Sequence, residues 1–223
     1  MPLTSTGTVI FDLDGTLHHT EAALVPAIQM AMTDLGFKPA SPEAINALYG
    51  EPLEEFYRVL LGGGGSCADF QMGIRKHQKV TLPQSGALYP GTGKMLQELR
   101  NMGLDLAVCS NAGLDYIRLV TGSLGIEDFF GIMVGQDGNA SKTDRVRKII
   151  RRAGNGFAVM VGDRYHDIQA ARENGIPSIG CLYGYGGAGE MEPADRTVTA
   201  PSGIPTAVRE LMEDRGPGVT PGP

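Results

Sequence analysis

Two acidic pairs carry the first chemical signal: Asp12 and Asp14 in the run Asp12-Leu13-Asp14-Gly15-Thr16, and Asp163 and Asp167 in Gly162-Asp163-Arg164-Tyr165-His166-Asp167. Each pair follows a short apolar run, and two more polar features, Ser110-Asn111 and Ser141-Lys142, follow other apolar runs or their loops. In an open parallel sheet, ligands bind beyond the carboxyl ends of the strands, so residues far apart in sequence can meet there. Carboxylates gathered at one point repel one another, and a cation among them makes the cluster tolerable. Oxygen donors without matching His or Cys favour magnesium over zinc, and magnesium commonly works with substrate phosphates. The Lys142 ammonium and the Ser110 hydroxyl suit phosphoryl oxygens, one by charge and the other by donating a hydrogen bond. Taken singly, Asp-Gly is also an ordinary turn and acids are ordinary at helix starts. Neither explanation covers both pairs, a lysine and a serine together.

The elements that must position these groups alternate. Residues 8–11, Thr-Val-Ile-Phe, form an apolar β-branched and aromatic run ending at Asp12, and similar runs occupy 104–109, 131–134, 157–161 and 178–182. Helical patterns lie between most of them, which predicts a parallel sheet covered on both faces. Over 92–102, Met95, Leu96, Leu99 and Met102 make one apolar stripe stopped by Gly103. Over 144–152, Val146, Ile149 and Ile150 face one way, which leaves Arg145, Arg147, Lys148, Arg151 and Arg152 to be expected toward water.

About 90 residues separate the first strand from the sure strand at 104, far more than a crossover needs. Helical segments at 21–35, 43–48, 53–61 and 68–80, with a glycine linker at 62–65, predict an all-helical insert. The expected division is a core of 1–17 and 84–214, a helical cap of 18–83 and a disordered Pro/Gly tail of 215–223.

Composition narrows the class. The 223 residues are 42% apolar and 20% charged, as in a globular enzyme or binding protein. Lys+Arg 19 against Asp+Glu 25 gives a net charge of -6, which argues against a nucleic-acid partner. Cys67, Cys109 and Cys181 are odd in number and scattered, fitting neither a disulfide framework nor a C-x-x-C site and pointing to a cytoplasmic home. No apolar run approaches the ~20 residues of a membrane span, and no signal peptide is expected at the N-terminus. A monomer or homodimer acting on a small phosphorylated metabolite is the expected form.

On these residues the chain resembles the haloacid dehalogenase superfamily, in its branch with a helical cap inserted after the first strand. Asp12 to Thr16 resembles the first motif of that superfamily, Ser110-Asn111 the second, Lys142 the third and Gly162 to Asp167 the fourth, over about residues 7 to 212. The resemblance implies an α/β Rossmann-like core and a magnesium-dependent phosphatase. Asp12 would be the nucleophile that forms an aspartyl-phosphate, and Asp14 the general acid and base. It implies that the Asp12 carboxylate, the Asp14 backbone carbonyl and Asp163 hold Mg2+, with Asp167 supporting them. Thr16, Ser110, Asn111 and Lys142 would contact substrate, and so would Gly50 in the cap loop around Gly50 to Leu53, where specificity is expected. The cap is expected to close over the substrate.

Asp14 favours phosphate esters, because members of the superfamily that cleave carbon–halogen or phosphonate bonds lack a carboxylate there. Tyr89-Pro90-Gly91 and Leu182-Tyr183-Gly184-Tyr185-Gly186 look like the phosphoglycolate-phosphatase-like group, whereas His19 stands where many relatives carry Asp. The alternatives are a sugar phosphomutase of the β-phosphoglucomutase type and a catalytically silent binding protein on the same fold. Gly91-Thr92-Gly93-Lys94 is not a P-loop, because Leu88 and Met95 stand at required positions. Gly184 to Gly189 spells a dinucleotide motif but is better read as a loop at the rim of the active site. His18-His19 is read as a cap-hinge or surface pair, and Arg75, Lys76 and His77 as a solvated helix face.

Overall fold

The computed structural model describes residues 6–49, 53–154 and 156–214. Gly50, most of the expected specificity loop and the expected disordered tail lie outside them. Along the chain run β1 Gly7–Phe11, β2 His18–His19, α1 Thr20–Asp34, α2 Pro42–Asn46, α3 Leu53–Leu61, α4 Cys67–Ser85 and β3 Ala87–Leu88. There follow α5 Thr92–Asn101, β4 Leu104–Cys109, α6 Leu114–Ser123, β5 Ile132–Val134, α7 Lys142–Ala153 and β6 Phe157–Gly162. The chain continues through α8 Tyr165–Glu173, β7 Ser178–Cys181, α9 Ala188–Met191, β8 Arg196–Val198 and α10 Ile204–Asp214.

Six strands form one sheet in the order β5-β4-β1-β6-β7-β8, with every pairing parallel. β1 sits in the middle and is buried along its whole length, as a strand covered on both faces must be. Its Ile10 joins Ala107, Met160, Val146, Ile149, Ala170 and Ala171 in an apolar layer shared with α7 and α8. The alternate residues Val9 and Phe11 point to the other face and are equally buried. The register sets Phe11 beside both Val108 and Val161, so Asp12, Ser110 and Asp163 leave the same edge of the sheet one after another. β8 was not anticipated. Its three residues, Arg-Thr-Val, are too short and too polar to show a strand pattern, and they are ordered by pairing with β7.

Two compact units divide the chain: one reaches His18 and resumes at Leu88, the other runs from His19 to Ala87. The second lies further along than the expected 83/84 boundary because α4 continues through Pro83 to Ser85. It is helical and closes on its own apolar cluster of Val25, Ile28, Met32, Ile45, Phe56, Phe70 and Ile74. Gly73 permits the close approach of α1 and α4, since a Cβ there would lie 3.0 Å from the Ala31 Cβ. Lys76, solvated as expected, and the more covered His77 both reach Asp34, each at 2.9 Å. No helix among the described residues is long and apolar enough to cross a membrane.

Candidate active site

The site begins with β1. Asp12 still donates its backbone N–H to the Val161 carbonyl at 2.8 Å, so the sheet itself fixes this carboxylate. Beyond it the chain turns at once. Gly15 takes a φ of +80°, the left-handed region, and a Cβ there would come within 2.3 Å of Asp163 Oδ2. The same crowding recurs at the end of β6, where a Cβ on Gly162 would lie 2.1 Å from the Asp167 Cγ. Glycine is required at both places so that the carboxylates can approach.

Asp12, Asp163 and Asp167 converge, with one carboxylate oxygen from each within 4.8 Å of the others. All three are buried, Asp163 and Asp167 completely. Asp163 accepts from the Thr16 hydroxyl at 3.1 Å and from the Tyr185 N–H at 2.8 Å, and Asp167 accepts from the Arg164 N–H at 3.0 Å. Lys142 stands among them, hydrogen-bonded to Asp12 and ion-paired with Asp167. A capping box places it: Ser141 Oγ accepts the Asp144 N–H at 3.1 Å and Asp144 accepts the Ser141 N–H at 3.3 Å, which starts α7 at Lys142.

Burial, followed by the neighbouring Asp167 and Asp163, pushes the Asp12 carboxyl well above its ordinary range despite Lys142. Burial and then Asp167 push Asp163 up to about 6. Burial alone would lower Lys142, but Asp12 and Asp167 more than offset it and hold the ammonium charged. Fully ionised, the trio would carry more negative charge than one lysine neutralises, which together with burial is why Asp12 and Asp163 are pushed up. Three close, buried carboxylates fit a hard divalent cation.

Asp14 is not part of this trio. Its carboxylate, 27% exposed, accepts the Tyr116 hydroxyl at 2.7 Å and lies 3.3 Å from His18 Nδ1, both at Oδ1. The group of Asp14 named from sequence as a metal ligand is its backbone carbonyl, and its carboxylate is turned to Tyr116 and His18. Ser110 is buried and its Oγ accepts the Ala112 N–H at 3.0 Å. Thr16, expected to touch substrate, is wholly buried. Its hydroxyl serves Asp163, and its carbonyl accepts the Tyr183 hydroxyl at 2.8 Å.

Arg145 corrects another expectation. It is buried rather than solvated, donating to the Ala140 carbonyl at 2.6 Å and to the Asn111 side-chain oxygen. A signal was present: positions 142, 145, 146 and 149 form one helical stripe, so Arg145 shares the inner face with Val146 and Ile149. Tyr116, His18, Tyr183 and Tyr185 were not named as site residues either. Tyr116 and Tyr183 meet their partners across 102 and 167 positions and leave no local pattern, whereas His18, read from sequence as a hinge or surface residue, is completely buried and meets Asp14 four positions away.

The profile of the haloacid dehalogenase-like hydrolases matches residues 9–181. The chain belongs to this family. Among its curated relatives it is 27% identical over 209 residues to the tyrosine-protein kinase PtkA of Mycobacterium tuberculosis, covering 92% of this chain and 72% of that one. It is 30% identical over 200 residues to the probable phosphatase IndB of Dickeya dadantii, covering 85% of this chain and 87% of that one. It is 29% identical over 221 residues to the phosphoglycolate phosphatase of Neisseria meningitidis serogroup A, covering 94% and 93%. A solved haloacid dehalogenase-like hydrolase, SP0104 of Streptococcus pneumoniae, superposes with a TM-score of 0.76 at 21% identity over 93% of this chain and all of that one. This haloacid dehalogenase-like hydrolase thus shares the fold of that solved structure, and Asp12, Asp163 and Asp167 cluster in it.

Proposed function

We propose that this hydrolase is a magnesium-dependent phosphatase acting on a small soluble phosphate monoester, with phosphoglycolate the first candidate. The observation that carries the reading is the convergence of Asp12, Asp163 and Asp167 around Lys142 at one sheet edge. The phosphatase names of IndB and of the Neisseria relative support it. The kinase name of PtkA belongs to that relative, and the family to which this chain belongs is one of hydrolases.

In this reading an Asp12 carboxylate oxygen attacks phosphorus. An O–P bond forms to Asp12 and the ester O–P bond breaks, and the departing alkoxide takes a proton from Asp14. Water then gives a proton to Asp14 and attacks the same phosphorus, breaking the bond to Asp12 and releasing phosphate. Lys142, Ser110 and Asn111 hold the phosphoryl oxygens in line, which is most of what this reaction asks of a protein. Asp12, the Asp14 carbonyl, Asp163 and Asp167 would hold Mg2+, which when bound supplies positive charge beside the phosphoryl oxygens.

The test is phosphate release from p-nitrophenyl phosphate and from a panel of phosphorylated metabolites, with magnesium and with chelator. Magnesium-dependent release that Asp12→Asn lowers at least ~1,000-fold is the expected result. Absence of release from every ester with the metal present would overturn the reading.

A further inference from the structure

We infer that Tyr116 and His18 are positioning residues for the acid–base step, together fixing the carboxylate of Asp14 through one of its oxygens. The inference rests on the phosphatase reading above and deepens it.

A carboxylate that must give a proton to a leaving group and later take one from water works only if its rotamer is held. Asp14 projects from the turn after β1, beside Gly15, and is not gathered into the buried trio. Two side chains hold it. The Tyr116 hydroxyl, from α6 and 102 residues away in sequence, donates to Oδ1 at 2.7 Å, and His18 Nδ1 approaches the same oxygen at 3.3 Å.

His18 belongs to Asp14's own turn by backbone as well. Its N–H donates to the Leu13 carbonyl at 3.1 Å, its carbonyl accepts the Gly15 N–H at 3.1 Å, and its ring is completely buried. Its distance from Asp14 is therefore set by the turn. Tyr116 is set independently, by the burial of its neighbours Ile117 and Val120 in α6. Convergence of two separately anchored side chains on one oxygen is a clamp on orientation, and small misplacement of a proton donor is costly to rate.

The test separates proton transfer from general integrity by varying the leaving group. p-Nitrophenolate departs without needing a proton, whereas an alkoxide needs one. In Tyr116→Phe, an isosteric change, single-turnover phosphoryl transfer from an alkyl phosphate should fall ~10- to 100-fold. Transfer from p-nitrophenyl phosphate, read as the burst of p-nitrophenol, should fall at least tenfold less. His18→Asn should show the same bias in a smaller measure, given its longer contact. Equal losses on both esters, or no loss on either in Tyr116→Phe, would overturn the clamp while leaving the phosphatase reading intact. Wild-type protein inactive on both esters would overturn both.

Discussion

The two units bury different kinds of side chain. Every charged or imidazole side chain that is buried among the described residues lies in the sheet-containing unit: Asp12, His18, Lys142, Arg145, Asp163 and Asp167. The helical unit buries Thr20, Gln78 and Thr81 as its polar residues and keeps its charges on the surface, as in the Asp34, Lys76 and His77 group. Buried charge costs several kcal/mol of desolvation per ion unless it is paired. One unit carries that cost where chemistry is to be done, and the other is built for packing.

The contrast predicts a large stability effect in the helical unit with no electrostatic signature. Phe70 on α4 is completely buried in the apolar cluster with Ile28, Met32 and Phe56. Phe70→Ala should cost ~3–5 kcal/mol, read as a lower urea midpoint. The loss should be the same at low and high salt and across pH 5 to 8. A loss that varied strongly with pH would mean that this unit, too, depends on buried charge.

Much of the site was legible because its residues follow strands. Asp12, Ser110 and Asp163 could be placed from the apolar runs before them, and the parallel register brings those run ends to one edge. Lys142 was legible with Ser141 as a polar pair after an apolar run, whereas the capping box that starts its helix two residues before the expected 144 emerged only in the structure. The supporting residues were less so. Tyr116 meets Asp14 only through the fold, and Arg145 was set in water by a charge count although its spacing with Ile149 placed it inside. Binary pattern shows which helix face is buried, and it does not show that a buried cation has a carbonyl and an amide waiting for it. The ends of the helical unit were blurred for a similar reason: Pro83 in α4 reads as a breaker, yet the helix passes through it to Ser85.

A smaller effect comes from the sheet-edge acids. Asp163, held up at about 6 by burial and by Asp167, binds its proton more tightly folded than unfolded. By linkage its contribution is complete below about pH 4 and is lost as pH rises through about 6, worth on the order of 2–3 kcal/mol in metal-free protein. Thermal unfolding in chelator should show this fall, and Asp163→Asn should have the shallower slope over the same interval. Saturating magnesium should flatten it, because a cation among the acids removes the reason to keep a proton. An unchanged slope in Asp163→Asn would show that the pressure on this group is not what the geometry indicates.

The helical unit supplies the counterpart with opposite sign and the smallest size. Asp34 is held below its ordinary value, first by the hydrogen bond from Lys76 and then by that from His77. Its contribution is therefore present above the ordinary carboxylate range and lost as pH falls through the lowered value. All of this happens at the surface, where ions screen the charges and two side chains must be ordered to meet a third. Asp34→Asn should leave the thermal midpoint at neutral pH within its reproducibility, and any residual difference should vanish in 0.5 M salt, about a 4 Å screening length. The Asp163 slope should survive the same salt, because its repelling neighbour is enclosed with it and mobile ions do not come between them. Salt that erased both effects would place the Asp163 group in contact with solvent, and the distinction between a unit that stores charge and one that sheds it would fail.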